Sequence, residues 1–148
     1  NPAIVGYPAS WVNNPDIIRL NDNMVSVNSA LEIDLTGQIN SEQIGDRPFS
    51  GTGGQLDFVR GAYAARNGRS FIALRSTAQS GSVSRIVPRL LGGAVTDPRN
   101  DVQFVVTEYG CVNLKGLSIP QRARALIQIA SPEFQDHLER EATSLGWI

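Results

Sequence analysis

The sequence predicts an α/β layered domain, and three observations carry the prediction. Segments with strand periodicity alternate along the chain with segments of helical periodicity, joined by short connections. The run Phe104-Val105-Val106 is apolar without alternation, which suits a strand covered on both faces. Hydrophobic residues make up 41% of the 148 positions and charged residues 18%, enough for one core and leaving little room for a second domain.

Taken in order, Asn1 to Asn14 mixes Pro2, Gly6, Pro8, Trp11 and asparagines, and reads as an irregular connection. Pro15 to Leu20 reads as a short helix, with Asn14 as its N-cap and Pro15 at the first helical position. Met24 to Asn28 alternates apolar and polar side chains, the mark of a half-buried strand. Ala30 to Leu35 alternates again, with Leu31, Ile33 and Leu35 on one face and Glu32 and Asp34 on the other. Thr36-Gly37 turns the chain and Ile39 begins the return. Residues 40–54 are polar and glycine-rich, an ordered loop.

Gly54 to Arg66 has helical spacing, with Leu56, Val59 and Tyr63 on one face and Phe58, Ala62 and Ala65 beside it. Asn67-Gly68 supplies residue types that tolerate the left-handed conformation ending such a helix. Ser70–Leu74, Val83–Val87 and Val102–Thr107 read as strands. Two helices close the chain. Ser118-x-x-Gln121 has the form of a capping box, with Ala125, Leu126 and Ile129 as the buried stripe; Ser131-Pro132-Glu133 opens the second, which Gly146 stops.

Composition excludes several functions. Thirteen Lys and Arg stand against fourteen Asp and Glu, a net charge of −1, so the basic excess of a nucleic-acid binder is absent. A single cysteine, Cys111, and a single histidine, His137, leave no intramolecular disulfide and no Cys/His metal cluster. No apolar run approaches the roughly 20 residues that span a bilayer. The expectation is therefore a cytoplasmic globular domain with no nucleic-acid or membrane partner. The chain opens on Asn1-Pro2 and its only methionine is Met24, as expected of a processed protein or a part of a longer one.

Two places offer chemistry. Gly51-Thr52-Gly53-Gly54 directly precedes a predicted helix, where glycines admit close backbone approach and the free N–H groups of the first turn face a ligand. Such a loop holds a phosphate or stabilises the oxyanion of a reacting carbonyl, or is simply a tight turn. It lacks the Gly-Lys-Ser/Thr ending of a phosphate loop, and Leu56 stands where a dinucleotide fingerprint has its third glycine. Glu108 ends the apolar strand, at the position where open α/β sheets bind ligands. There it either orients a substrate or serves locally, paired with an arginine or capping the next turn. His137, among Gln135, Asp136, Glu139 and Arg140, reads as a solvated surface residue, and Cys111 as a small core residue. No Ser-His-Asp arrangement is present.

Three stretches together resemble a known family: Val25-Ser26-Val27-Asn28-Ser29-Ala30-Leu31-Glu32-Ile33-Asp34-Leu35-Thr36-Gly37-Gln38, then Gly51-Thr52-Gly53-Gly54-Gln55-Leu56-Asp57-Phe58, then Ser84-Arg85-Ile86-Val87-Pro88 with Val105-Val106-Thr107-Glu108-Tyr109-Gly110. In that order, and with the Arg122 to Ile127 helix, they are similar to the C-terminal domain of the acetyl-CoA hydrolase/transferase family, class I CoA-transferases. The resemblance spans nearly the whole of residues 1–148.

The resemblance implies a three-layer, doubly wound CoA-transferase fold. It also implies CoA transfer between an acyl-CoA and a short-chain carboxylate through a glutamyl-CoA thioester, with CoA as substrate and no metal or organic cofactor. The family's nucleophilic glutamate lies upstream of the segment resembling Asn1-Pro2. The chain is thus expected to work with an N-terminal domain of the same enzyme, to be inactive alone, and to expose an interdomain face through which it can form a homo-oligomer. The Gly54 N–H resembles the family's oxyanion donor, with Gly53 shaping the loop. Glu108 resembles a second active-site glutamate and Asn13 a substrate-contacting asparagine. Gln79 falls near a CoA-contacting lysine, a departure in residue type. Tyr109 is more similar to the butyrate and 4-hydroxybutyrate members than to the succinyl-CoA:acetate members. Two alternatives stay open: an acyl-CoA hydrolase with water as acceptor, and a non-catalytic CoA-binding module.

Overall fold

A computed structural model describes residue 1 and residues 3–148. In chain order it contains α1 (Ala9–Val12), α2 (Pro15–Ile18), β1 (Val25–Ser29), β2 (Glu32–Asp34), β3 (Ile39–Asn40), β4 (Gln43–Ile44), β5 (Arg47–Pro48) and α3 (Gln55–Ala64). These are followed by β6 (Arg69–Ala73), β7 (Thr77–Ala78), β8 (Val83–Ser84), β9 (Ile86–Val87), β10 (Phe104–Thr107), β11 (Gly110–Asn113), α4 (Ile119–Gln128) and α5 (Pro132–Ser144).

The main sheet has the order β1-β6-β10-β11. β6 lies parallel to both β1 and β10, and β11 returns antiparallel to β10 across a tight turn. A smaller sheet, β3-β2-β9, pairs Ile33 with both Ile39 and Ile86. Mixed parallel and antiparallel pairing with packed helices places the chain in the α/β class.

Because strand side chains alternate, each strand of the main sheet contributes to two faces. One face carries Ile72, Val105 and half-buried Val112, which join Val59 of α3, Leu126 of α4 and Leu138 and Ala142 of α5 in a single core. Ile33, Leu35, Ile39 and Ile86 bring the small sheet into the same core, all of them sealed from solvent.

The local signals hold well. The Asn14 side chain accepts from the Asp16 N–H at 2.9 Å, as the cap expected there requires. Asn67 takes φ +56° after α3, and the Gln121 Oε1 reaches back to the Ser118 N–H at 2.8 Å. His137 is exposed on α5.

Six expectations need correction. Within residues 40–54, read as a loop, Gln43–Ile44 and Arg47–Pro48 pair as an antiparallel hairpin. Residues 9–12 form a helical turn inside the supposedly irregular connection. Segment 83–87 divides between two sheets, Val83–Ser84 pairing with β7 and Ile86–Val87 with β2, so it is not one strand. Along β1 the alternation is real, but its orientation is reversed: Ser26 is buried, while Val25 and Val27 are 54% and 65% exposed. Within β10 only Val105 and Thr107 are buried, and Phe104 and Val106 are half-covered on the other side. Cys111, on β11 beside Val106, is exposed and not a core residue. The last three share one cause, a sheet face that no element of the described residues fully covers.

Candidate functional site

The site follows from the β1–α3–β6 crossover. The carboxyl end of α3 returns to the start of the strands, where Asn23 N–H donates to the Arg66 carbonyl at 2.8 Å and Arg69 N–H to Met24 at 2.9 Å. The amino end of α3 therefore stands at the opposite edge, beside the carboxyl ends of β1, β6 and β10, where α/β sheets place their ligands.

Gly53 and Gly54 form the last step into α3. Gly53 has φ +57°, a left-handed conformation that a side chain would strain. Gly54 is the N-cap of α3 with φ −98°, and its N–H donates to no acceptor among the described residues. Asn13, the C-cap that follows α1, lies directly on it: a Cβ added to Gly54 would sit 2.4 Å from the Asn13 Nδ2 and 3.0 Å from its Cγ. Two residues named from sequence 41 positions apart are thus in contact. A free backbone N–H and a carboxamide at a helix amino terminus make a pair of dipoles suited to an anionic oxygen.

Gln55, the first residue of α3, holds the loop in place. Its Nε2 donates to the Ser41 Oγ at 2.8 Å and to the Asp97 Oδ2 at 2.7 Å. The Ser41 hydroxyl donates in turn to the Ser29 carbonyl at the end of β1 (3.2 Å), and its N–H donates to the Thr96 Oγ1 (2.9 Å). Asp97 is fully buried and its Oδ1 has no hydrogen-bond partner among the described residues. Burial pushes its carboxyl above the usual carboxylate range, offset in part by the Gln55 hydrogen bond.

Glu108 follows β10 at the same edge. Its Oε2 accepts from the Ser76 N–H at 2.8 Å and its Oε1 from the Ser76 hydroxyl at 3.1 Å. Those bonds, the backbone one foremost, hold the Glu108 carboxyl below its ordinary value, with Arg75 adding a smaller pull in the same direction. Glu108 is thus an ionised carboxylate that caps the turn after β6 without an arginine pair. It borders a shallow recess lined by Ala73, Leu74, Arg75, Val106 and Thr107. Just below, the Thr107 hydroxyl donates to the Ile129 carbonyl at 2.6 Å, tying the strand end to α4.

Gln79 is placed differently. It is exposed in the turn between β7 and β8, with φ +48°, and lines a separate groove with Glu32, Gln43, Ala78 and Arg85. Sequence reasoning did not single out Ser76, Ser41 or Asp97. Each acts through a partner at least 32 positions away in sequence or across a turn, so no local pattern marks them. Among the described residues no helix is long and apolar enough to cross a membrane.

Comparison with known proteins agrees with the motifs. The 4-hydroxybutyrate coenzyme A transferase of Clostridium kluyveri is 53% identical over 142 residues, covering 95% of this chain and 33% of its own length. The butyryl-CoA:acetate CoA-transferase of Anaerostipes caccae is 48% identical over 148 residues, covering 96% and 33%. The crystal structure of RipA from Yersinia pestis, 53% identical, superposes with a TM-score of 0.94 over 100% of this chain and 33% of that one. The chain spans about a third of the length of these relatives. The description "acetyl-CoA hydrolase/transferase C-terminal domain" matches residues 1–142, and the chain belongs to that family.

Proposed function

We propose that this chain is the C-terminal domain of an acyl-CoA:carboxylate CoA-transferase and supplies the oxyanion and acyl side of the active site. The observation that carries the proposal is the Asn13 carboxamide packed on Gly54, whose N–H is free at the start of α3. In the proposed reaction a glutamate carboxylate upstream of this chain attacks the thioester carbonyl of the acyl-CoA. The carbonyl π electrons move onto oxygen, which faces the Gly54 N–H; the intermediate collapses, CoA thiolate leaves, and an acyl-glutamyl anhydride remains. The thiolate then attacks the glutamyl carbonyl and expels the acyl carboxylate, leaving a glutamyl-CoA thioester. A short-chain acceptor carboxylate reverses the steps and departs as the new acyl-CoA. No net proton moves, so the chemistry calls for oriented dipoles more than for a general base.

Glu108 contributes as an ionised group lining the acyl recess, fixed in direction by Ser76. The Gln55–Asp97 and Gln55–Ser41 bonds hold α3 so that its amino end does not drift. Gln79, on its separate groove, fits a contact with the more distal part of CoA. A second acceptor, water, is favoured by the hydrolase half of the family description.

The test uses a protein of the relatives' length that carries this chain as its C-terminal third. Gly54→Val places a side chain where Asn13 now lies without straining the backbone, since φ is negative. Valine keeps the backbone N–H but displaces the Asn13 carboxamide and crowds the approach of a carbonyl oxygen, so turnover of butyryl-CoA with acetate is expected to fall by about 10²–10³ while the fold persists, as when one oxyanion donor is put out of reach. Unchanged turnover sinks the assignment. Thioester loss that is independent of acetate in the unsubstituted protein assigns the hydrolase instead.

A further inference from the structure

β2 and β9 run parallel, and beyond their carboxyl ends lies a recess of about 280 Å³ whose walls include Asp34, Gln38, Arg89, Arg99 and Trp147. Open α/β sheets bind ligands at that end of their parallel strands. The groove that holds Gln79 lies at the opposite ends of the same two strands, beside Glu32 and Arg85. Three guanidiniums gather at the recess. Arg89 lies over the Trp147 ring, its Cζ 5.5 Å from the ring centroid. Arg99 donates from Nη2 to a neutral acceptor, the Gln38 Oε1, at 2.9 Å. Arg122 stands behind them, 6% exposed, and donates to the carbonyls of Leu117, Thr36 and Arg99. The turn at Gly37 closes over it: a Cβ added there would stand 2.8 Å from the Arg122 Nη1.

None of the three has a carboxylate partner among the described residues, whose ion pairs use Arg19, Arg60 and Arg66. The carboxylate of the recess, Asp34, is taken up by its own turn. Its Oδ1 accepts from the Thr36 N–H, the Thr36 hydroxyl and the Gln38 N–H, and its Oδ2 accepts from the Gln38 Nε2. Three guanidiniums against one carboxylate leave an excess of two positive charges, in a chain whose net charge is −1. Burying a charge without a counter-ion is costly. Arg122 registers that cost: burial first, and Arg99 second, lower its pKa. At about 30 Å³ per water molecule, the recess has room for a tetrahedral oxyanion and several waters. We propose that this recess, with Arg89 and Arg99 at its walls and Arg122 behind, is a binding site for free phosphate, separate from the groove of Gln79. The planar guanidinium fork matches two phosphate oxygens at once, and here the indole fixes the direction of Arg89 and Gln38 that of Arg99. A phosphate dianion balances the excess charge. The inference goes beyond the proposed reaction and does not depend on it, so an inactive protein leaves it standing.

The probe is inorganic phosphate, titrated against the 148-residue chain at constant ionic strength. The chain has two tryptophans, Trp11 and Trp147, and Trp147→Phe assigns their indole N–H resonances in NMR. The Trp147 resonance is expected to shift saturably while that of Trp11 stays in place. Two or more charge-assisted hydrogen bonds correspond to a Kd of about 1 mM or tighter. Arg89→Gln and Arg99→Gln should each weaken binding by about tenfold or more, with circular dichroism unchanged. Arg140→Gln, an equal change of charge on the exposed face of α5, should leave binding as it was. Equilibrium dialysis of phosphate against a protein of the relatives' length that carries this chain should find the same Arg99-dependent site. A shift that sodium chloride alone reproduces overturns the proposal, and so does saturable binding that both arginine variants retain. Loss of the Arg99-dependent site in the longer protein overturns it as well. Displacement of phosphate by CoA but not by dephospho-CoA makes the recess part of the CoA site and overturns it as a separate one.

Discussion

Gly61 decides whether α2 can seat Asn13 over the glycine loop. It lies in the middle of α3, facing α2, and a Cβ built on it would stand 2.5 Å from the Ile18 Cβ and 2.6 Å from its Cγ2. Carbon atoms in contact normally keep about 3.5–4.0 Å apart, so Gly61→Ala requires about 1 Å of separation. Rotating Ile18 does not help, because its Cβ is fixed to the backbone and the residue is only 3% exposed. The whole four-residue helix α2 must move, and Asn13 moves with it. Alanine gains about 1 kcal/mol of helix propensity over glycine, while overpacking a closed contact costs about 1–3 kcal/mol. The expected net effect is a loss of about 0–2 kcal/mol.

A double-mutant cycle isolates the clash. Ile18→Ala alone should cost about 2–5 kcal/mol as a large-to-small core substitution. In that background the Cγ2 contact is gone while the Cβ at 2.5 Å stays, so the Gly61→Ala penalty is relieved in part, a coupling of about 0.5 kcal/mol or more. Urea unfolding of the four proteins measures the coupling, and the Asn13 side-chain amide resonances report the displacement of the site. Gly61→Ala stabilising by the whole propensity gain, with no coupling to Ile18, would refute the close approach and the seating of Asn13 that depends on it.

Three further outcomes follow from the same geometry. Asp97→Asn replaces a buried carboxylate whose Oδ1 has no partner, and it should raise stability at neutral pH. Because the folded pKa of Asp97 lies above its ordinary value, folding favours its protonated form. The stability this brings is complete below the unfolded value near 3.8 and is lost as pH rises through the folded value, so the advantage of the variant shrinks on acidification. An advantage in urea midpoint that stays constant down to pH 4 contradicts this. Glu108 has the opposite sign: its stabilising contribution is present above the ordinary value of 4.5 and lost as pH falls through its lowered folded value. Ser76→Ala, which keeps the backbone N–H, should return the Glu108 titration only part of the way in carboxyl NMR; complete return would show that the hydroxyl and not the backbone dominates. Thr107→Val preserves shape but leaves the Ile129 carbonyl without its 2.6 Å hydrogen bond, a loss of about 1–3 kcal/mol that thermal unfolding measures.

What the sequence determined by itself is what short-range physics controls. Asn14 caps α2, Asn67 takes the left-handed turn after α3, the Ser118–Gln121 pair starts α4, and the glycine loop leads into α3, each set by residues within four positions. The ordered motifs marked Gly54, Glu108 and Asn13 as candidate site residues. The proximity of Asn13 to Gly54 was not, because it depends on α2 closing against Gly61.

Tertiary structure decided everything that requires knowing what lies on the other side of an element. Alternation in Val25-Ser26-Val27 shows that a strand has two unlike faces, and it does not say which of them meets this chain's own core. Here the serine does, and the valines are exposed. Arg122, only 6% exposed, looks like a surface residue of an amphipathic helix. Folding brings it to the carbonyls of Leu117, Thr36 and Arg99, and burial, with Arg99 nearby, lowers its pKa. Such partners come from segments up to 86 positions apart, and a local pattern carries no information about them.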